Sequence, residues 1–328
     1  MKKYLKKYLL ILITLTLTAN TACTKPPPPK ELDKVSVRLK WLHSAQFAGL
    51  YVAEKKGFYR KANIQVDLEE GGIKVDEVEM VHKGINDFGI VGAHQLVIAR
   101  TEGIPLTSIA VIFRKNPSVF ISLKGSGIKK PQDFVGKRIL YPPANISLAS
   151  MMKLQGISMK ELILVPPSYD LGLMERGEVD VWTGYLINQV ITMRQKGYQV
   201  NIIYPDEYGV HIYGDAIVAT EKLIEENPEL VTKFLRATLR GWRYAIENPE
   251  ESLDILSEYQ LDIDREHALA SLLIQIPLIQ TGENDIGWMR DDVWLGMQNL
   301  LFDNGLISEK TDIDKAYTTE FLKKIYGK

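Results

Sequence analysis

The sequence predicts an α/β protein built as two lobes. Strand-like and helix-like segments alternate with short connections, which implies parallel strands joined by crossover helices. A middle block is entered by one apolar strand, SVFISLK, and left by another, DAIVAT. Helices alone then close the chain. Two lobes joined by two strands can close on a ligand like a hinge.

KVSVRLKWL alternates polar and apolar residues and predicts a strand ending near Leu42. Ala45 to Lys55 carries Phe47, Ala48, Tyr51 and Val52 at helical spacing, and Gly57 ends it. IQVDLEEGG predicts a second strand. MVHKGINDFGIVGAHQLVIAR predicts a short helix, a buried strand over DFGIV, and a helix from about His94. PLTSIAVIF and SVFISLK are apolar strands. The pattern changes near Gly125: a short helix opens at Pro131, and a strand follows over Lys137 to Tyr141. Next come a helix (Ser147 to Leu154), the strand ELILVP, a helix (Tyr169 to Glu175), the strand VDVWTGY, a helix (Leu186 to Lys196) and the strand NIIYP. After AIVAT, helices are expected over Leu230 to Glu247, Pro249 to Tyr259, Arg265 to Ile274, Asp291 to Asn304 and Asp314 to Ile325. NPELV and NPEES set proline in a helix's first turn, where its missing donor costs nothing.

The N-terminus reads differently. MKKYLKKYLLILITLTLTANTAC has lysines, an apolar run from Tyr8 to Leu17 and small residues up to Cys23, the layout of a secretory signal. The run is shorter than the roughly 20 residues a spanning helix needs. The expected division is a signal peptide over 1–22, a proline-rich tether over 23–34, lobe 1 from 35–121 plus 218–328, and lobe 2 from 122–217. Cys23 is the chain's single cysteine, so no internal disulfide forms. At a cleavage point its thiol is open to lipidation, and lipid chains hold a protein at a bilayer. Plain secretion with an incidental cysteine is the alternative.

Hydrophobic residues make up 45% of the 328 and the formal net charge is -1, so nothing argues for nucleic acid. GxSxG, Walker and GxGxxG loops are missing, and the five histidines lack HExxH spacing. Zinc held by cysteines is excluded. GEND and TDID lack a calcium loop's spacing. No cofactor and no metal are expected.

What does recur is a cluster of aromatics, amides and glycines at strand ends, where open sheets bind ligands. Trp41, His43, Gln46 and Phe47 follow the first strand: a stacking face, two hydrogen-bonding groups and an apolar wall, or else core rings and a polar cap. Gly92 and His94 repeat the design, with helix capping as the plain role of His94. Asn145 in YPPAN is a candidate, or simply a cap. Trp182, Tyr185 and Asn188 lie in WTGYLINQ. Tyr213 and Asp215 stand before the exit strand, where Asp215 accepts from a ligand's amino group or holds the crossover. The set suits a flat heterocycle held by stacking and neutral hydrogen bonds.

WLHSAQFAGLYVAEKKGFYRKANIQV resembles the opening of the periplasmic-type solute-binding proteins of the thiamine-pyrimidine-precursor family, which serve ABC importers. Relatives there bind riboflavin, nitrate, sulfonates or taurine. PQDFVGKRI is similar to the family's passage into the second lobe, IYGDAIVAT to its return, and LIQTGENDIGWM to a late helical segment; the likeness spans nearly all of the mature chain. The N-terminus resembles a bacterial lipoprotein signal. The resemblance implies a type II periplasmic-binding-protein fold, two lobes each with a mainly parallel sheet, and a ligand cleft between them. It places Trp41, His43, Gln46, Phe47, Gly92, His94, Tyr185 and Asn188 at the family's matching positions. LINQ follows WTGY where pyrimidine binders often carry an acidic residue, and Gln46-Phe47 is closer to flavin binders and to sensor kinases carrying this domain. The expected protein is an extracytoplasmic, lipid-anchored, monomeric solute-binding lipoprotein that hands a thiamine pyrimidine precursor or riboflavin to an ABC permease. A ligand-binding sensor subunit for a membrane kinase is the alternative. An enzyme of thiamine-pyrimidine synthesis is a further one, but fungal relatives of that kind use a cysteine-rich iron site.

Overall fold

The computed structural model describes residues 31–142, 145–282 and 285–328. The expected signal peptide, Cys23 and most of the tether lie outside the described residues. Among the described residues no helix is long and apolar enough to cross a membrane.

The first sheet is built from β1 (Asp33–Arg38), β2 (Ile64–Glu69), β3 (Phe88–Gly92), β4 (Leu106–Val111) and β10 (Asp215–Thr220), in the order β2-β1-β3-β10-β4. β1 runs parallel to β2 and β3, whereas β10 runs antiparallel to β3 and β4. β3 and β4 are buried along their whole length, so they read as continuous apolar runs rather than alternating ones. Between β1 and β4 lie α1 (Ala48–Lys55), α2 (Phe58–Lys61), α3 (Glu77–His82) and α4 (Ala93–Thr101). Asp76 caps α3 by accepting from the Glu79 amide at 3.0 Å.

The middle block carries β5 (Ser118–Leu123), β6 (Arg138–Leu140), α5 (Ile146–Leu154), β7 (Ile163–Val165), α6 (Gly172–Glu175), β8 (Trp182–Tyr185), α7 (Gln189–Gln195) and β9 (Val200–Ile203). β5 lies between β8 and β9, antiparallel to both; β6 pairs parallel with β7 and reaches β8 through an Ile139–Val181 bridge. Alternation alone predicts parallel pairs. The five-stranded sheet is mixed because β10 runs against β3 and β4, the strands β8-β5-β9 are all antiparallel because β5 runs against both neighbours, and β6 and β7 keep the parallel pairing in the middle block.

The closing helices are α8 (Glu221–Glu226), α9 (Pro228–Glu247), α10 (Pro249–Leu256), α11 (Arg265–Ile279), α12 (Asp291–Asp303) and α13 (Glu320–Tyr326). Proline opens α9 and α10 as the sequence predicts. α9 packs on the first sheet through Phe234, stacked 4.0 Å from Phe88 and 5.6 Å from Tyr59. It also crosses α1 with no room for side chains. A Cβ on Gly241 would stand 2.1 Å from the Gly49 carbonyl oxygen, and one on Gly49 would strike the Trp242 ring.

Candidate functional site

The C-terminal ends of β1 and β3 and the start of β10 meet at one edge of the first sheet. Lys40 lies two residues past β1. Its Nζ donates to Asp215 Oδ1 at 2.9 Å and to the Tyr185 hydroxyl at 3.1 Å. Tyr185 ends β8, so this ammonium ties the two sheets together. It also stands 5.5 Å from the centre of the Tyr185 ring. Gln46, in a 3-10 turn over Ala45–Phe47, donates to Asp215 Oδ2 at 2.6 Å. Asp215 is buried and now has a partner on each oxygen.

Asp215 sits opposite Gly92 in the β10–β3 register. Gly92 is needed there: a Cβ would stand 2.5 Å from Gln95 Oε1 and 3.0 Å from the His94 ring. Gln95 Oε1 accepts from the Gly92 amide at 2.9 Å, and the Ala93 amide donates to the Gly214 carbonyl at 2.8 Å. His94 is thereby folded over the same strand end as Asp215. Its Nδ1 is buried and has no hydrogen-bond partner among the described residues. Glu77, from the first turn of α3, is buried close by.

Burial works against charge on Lys40, but the Asp215 carboxylate and the Tyr185 hydroxyl outweigh it and hold the pKa above the ordinary lysine value. His94 goes the other way. Burial, reinforced by the Lys40 charge, lowers it to about 4, so its ring is neutral near pH 7. Burial raises Glu77. The sequence predicts neutral polar edges; the structure corrects that to a buried ion pair with a neutral histidine beside it.

Of the sequence candidates, Gln46, Gly92, His94, Tyr185 and Asp215 come together here. Asn145 is a neighbour: it caps α5 through the Leu148 amide at 3.0 Å and donates to Ser118 Oγ at 3.4 Å, and Ser118 lies opposite Tyr185. The others point elsewhere. Phe47 is 1% exposed and lies in the core, so it lines no cleft wall. Trp182 is 2% exposed at the first position of β8, three residues before Tyr185, with its ring in the core. The Tyr213 hydroxyl accepts from the Arg290 amide at 2.9 Å, and its ring meets Trp294 edge-on. His43 Nδ1 lies 3.0 Å from the Tyr51 hydroxyl, and its ring sits 5.6 Å from Tyr259. Asn188 turns its carbonyl to His267 Nε2 at 3.3 Å, at the contact of α7 with α11. Trp41 is 36% exposed; its carbonyl accepts from the Gly71 amide at 3.1 Å. Phe47 follows the packing alternative as a core ring, whereas Trp41 is exposed and is not packed under the helix.

Lys40 and Glu77 were not among the sequence candidates. The signal for Lys40 is a cation just past the end of the first strand, directly before Trp41. Beside Asn116, Ser118 and Ser147 the free space is only about 10 Å³, too small for a ring or even for most waters. Among the described residues no three His, Cys, Asp or Glu side chains are grouped to hold a metal ion.

The chain matches the family model described as NMT1/THI5 like over residues 44–252. It is 24% identical to the riboflavin-binding protein RibY of Chloroflexus aurantiacus, over 93% of this chain and 90% of that one. It is also 24% identical to the formylaminopyrimidine-binding protein of Halalkalibacterium halodurans, over 88% and 90%. Relatives named 4-amino-5-hydroxymethyl-2-methylpyrimidine phosphate synthase match as well. The structure resembles the periplasmic aliphatic sulphonate binding protein SsuA of Escherichia coli with a TM-score of 0.70 at 15% identity, covering 87% of this chain and 91% of that one. The fold is thus that of the periplasmic binding proteins.

Proposed function

We propose, from the premise that this chain belongs to the NMT1/THI5 like family, that it is the solute-binding subunit of an ABC importer for a small heterocycle. One observation carries this reading: Lys40, just past β1, bridges Asp215 of one sheet and Tyr185 of the other, while Gln46 donates to the second Asp215 oxygen. The proposed lobes are 35–121 with 218–328, and 122–217. A ring enters where these residues meet, the lobes part to admit it, and closure around it makes the form that docks on the permease. A thiamine pyrimidine precursor or riboflavin is the ligand class, by analogy with what the named binding relatives carry. Cys23 anchors the secreted chain to the membrane by lipid.

The test is a thermal-shift and calorimetric screen of the chain from residue 24 against pyrimidines, flavins and sulfonates. The expected result is saturable binding of at least one heterocycle. A folded sample that binds none of them overturns the proposal. For the anchor, Cys23→Ala is expected to move the protein from the membrane fraction to the soluble extracytoplasmic fraction; an unchanged distribution refutes lipidation.

The synthase-named relatives favour a second reading, an enzyme. Against it stands the state of the buried lysine. Lys40 is held as an ammonium by Asp215, and an amine must lose its proton before it attacks a carbonyl. Incubation with pyridoxal phosphate is expected to leave the absorbance spectrum unchanged.

A further inference from the structure

We propose that Lys40 decides which heterocycle the site accepts. It cancels the charge of Asp215 and, beside the unpartnered Nδ1 of His94, forms a two-point subsite for a ring bearing a carbonyl next to an N–H. This rests on the binding reading above and names the chemistry of the ligand.

The argument starts from Asp215. An isolated buried carboxylate at a cleft recruits amines. Here Lys40 takes Oδ1 and Gln46 takes Oδ2, so that attraction is spent inside the protein. An ammonium carries three donors, and Asp215 and Tyr185 use two of them. The third is available to a ligand acceptor.

His94 supplies the other half. Its Nδ1 lies 3.2 Å from where a Cβ on Gly92 would stand, and Gly92 is directly opposite Asp215. Side chains facing one another across antiparallel strands are about 5 Å apart at Cβ, so the imidazole and the ion pair share one face. In the neutral ring with its proton on Nε2, Nδ1 is an acceptor. Left without a donor, such a buried atom carries a desolvation cost that a ligand N–H removes.

A donor and an acceptor side by side match a lactam or imide edge. A carbonyl oxygen has two lone pairs and accepts over a wide range of directions, so the ammonium reaches it without releasing Asp215. A ring nitrogen has a single in-plane lone pair. The ring nitrogen and exocyclic amine of an aminopyrimidine also pair an acceptor with a donor, but the nitrogen offers the ammonium a single lone pair and the amine finds no uncompensated carboxylate at Asp215.

The experiment compares riboflavin, which has an imide edge, with 4-amino-5-hydroxymethyl-2-methylpyrimidine, which has an amine. Calorimetry is run on the chain from residue 24 and on two variants, Lys40→Met and Asp215→Asn, each checked for folding by circular dichroism. The unaltered chain is expected to bind riboflavin at least about tenfold more tightly, the scale of one charge-assisted hydrogen bond. Lys40→Met is expected to lose that preference or reverse it. Asp215→Asn leaves the Lys40 nitrogen in place as a donor beside Tyr185 and is expected to retain the preference, so the inference stays testable if Lys40→Met folds poorly. A preference of the unaltered chain for the aminopyrimidine overturns the inference alone, as does equal weakening of both ligands by Lys40→Met. If neither ring binds while another compound of the screen does, the subsite fails and the binding function stands.

Discussion

The Lys40–Asp215 pair can be weighed by a double-mutant cycle on stability. Asp215 is the deeper partner: its side chain is 3% exposed against 17% for Lys40. Lys40→Met leaves that carboxylate with only the Gln46 bond. Removing one member of a buried pair costs about 3–5 kcal/mol, and the partial solvent access at Lys40 places this case near the lower end, about 3 kcal/mol. Asp215→Asn strands the ammonium instead, which still has the Tyr185 hydroxyl and some water, so about 2 kcal/mol is expected. The double variant Lys40→Met/Asp215→Asn carries no stranded charge. Exchanging a buried ion pair for neutral groups of similar volume is often close to neutral, so a loss under about 1.5 kcal/mol is expected. The coupling is then roughly 3 kcal/mol or more.

Urea unfolding with linear extrapolation measures each corner. The sign of the pH dependence fixes the conditions. The folded pKa of Lys40 lies above its unfolded value, so its contribution is fully present below about pH 10.5 and is lost only as pH rises beyond that. Measurements at pH 7 therefore sit on the plateau. A coupling below about 0.5 kcal/mol would mean that the pair contributes nothing beyond its separate side chains, and the electrostatic account of the site fails.

His94 makes an opposite prediction in acid. Its folded pKa of about 4 lies below the ordinary 6.5, so the unfolded chain takes up a proton first and stability falls as pH drops from 6.5 to 4. The slope approaches about 1.4 kcal/mol per pH unit, partly offset by Glu77, whose pKa burial raises. His94→Gln should flatten the denaturation midpoint over that range, and an unchanged slope assigns the effect to other groups. Gly241→Ala should destabilise by about 1–3 kcal/mol, because its new methyl meets the Gly49 backbone oxygen and not a movable side chain. Gly296→Ala, inside α12 with nothing within 4 Å, should instead stabilise by about 0.5–1 kcal/mol. Equal midpoints for the two variants in urea would contradict the packing described for α1 and α9.

Apolar alternation and proline or glycine punctuation locate most strands and helices because those signals are local. DFGIV and DAIVAT show as apolar runs, and both are buried strands. Strand direction is not local. A run such as DAIVAT looks the same whichever way it runs, so the antiparallel placement of β10 between β3 and β4 is invisible before the chain is folded. Aromatics pose a similar problem. Phe47, Trp182 and Tyr213 belong to the same strand-end clusters as Tyr185, and the difference between core ring and site ring lies only in what packs above them.

Lys40 shows the limit most clearly. In the sequence it is one lysine among many, placed after an alternating strand where a solvated charge is ordinary. Its partners are 145 and 175 residues away. They meet it only because β10 returns beside β3 and β8 ends opposite Ser118. The charge of the site is therefore a product of topology. β10 brings a carboxylate to the edge of the first sheet, β8, paired with β5, brings a phenol from the other, and the lysine between them joins both. A sequence that kept every strand and helix but replaced Lys40 would lose the one side chain that bonds both Asp215 and Tyr185.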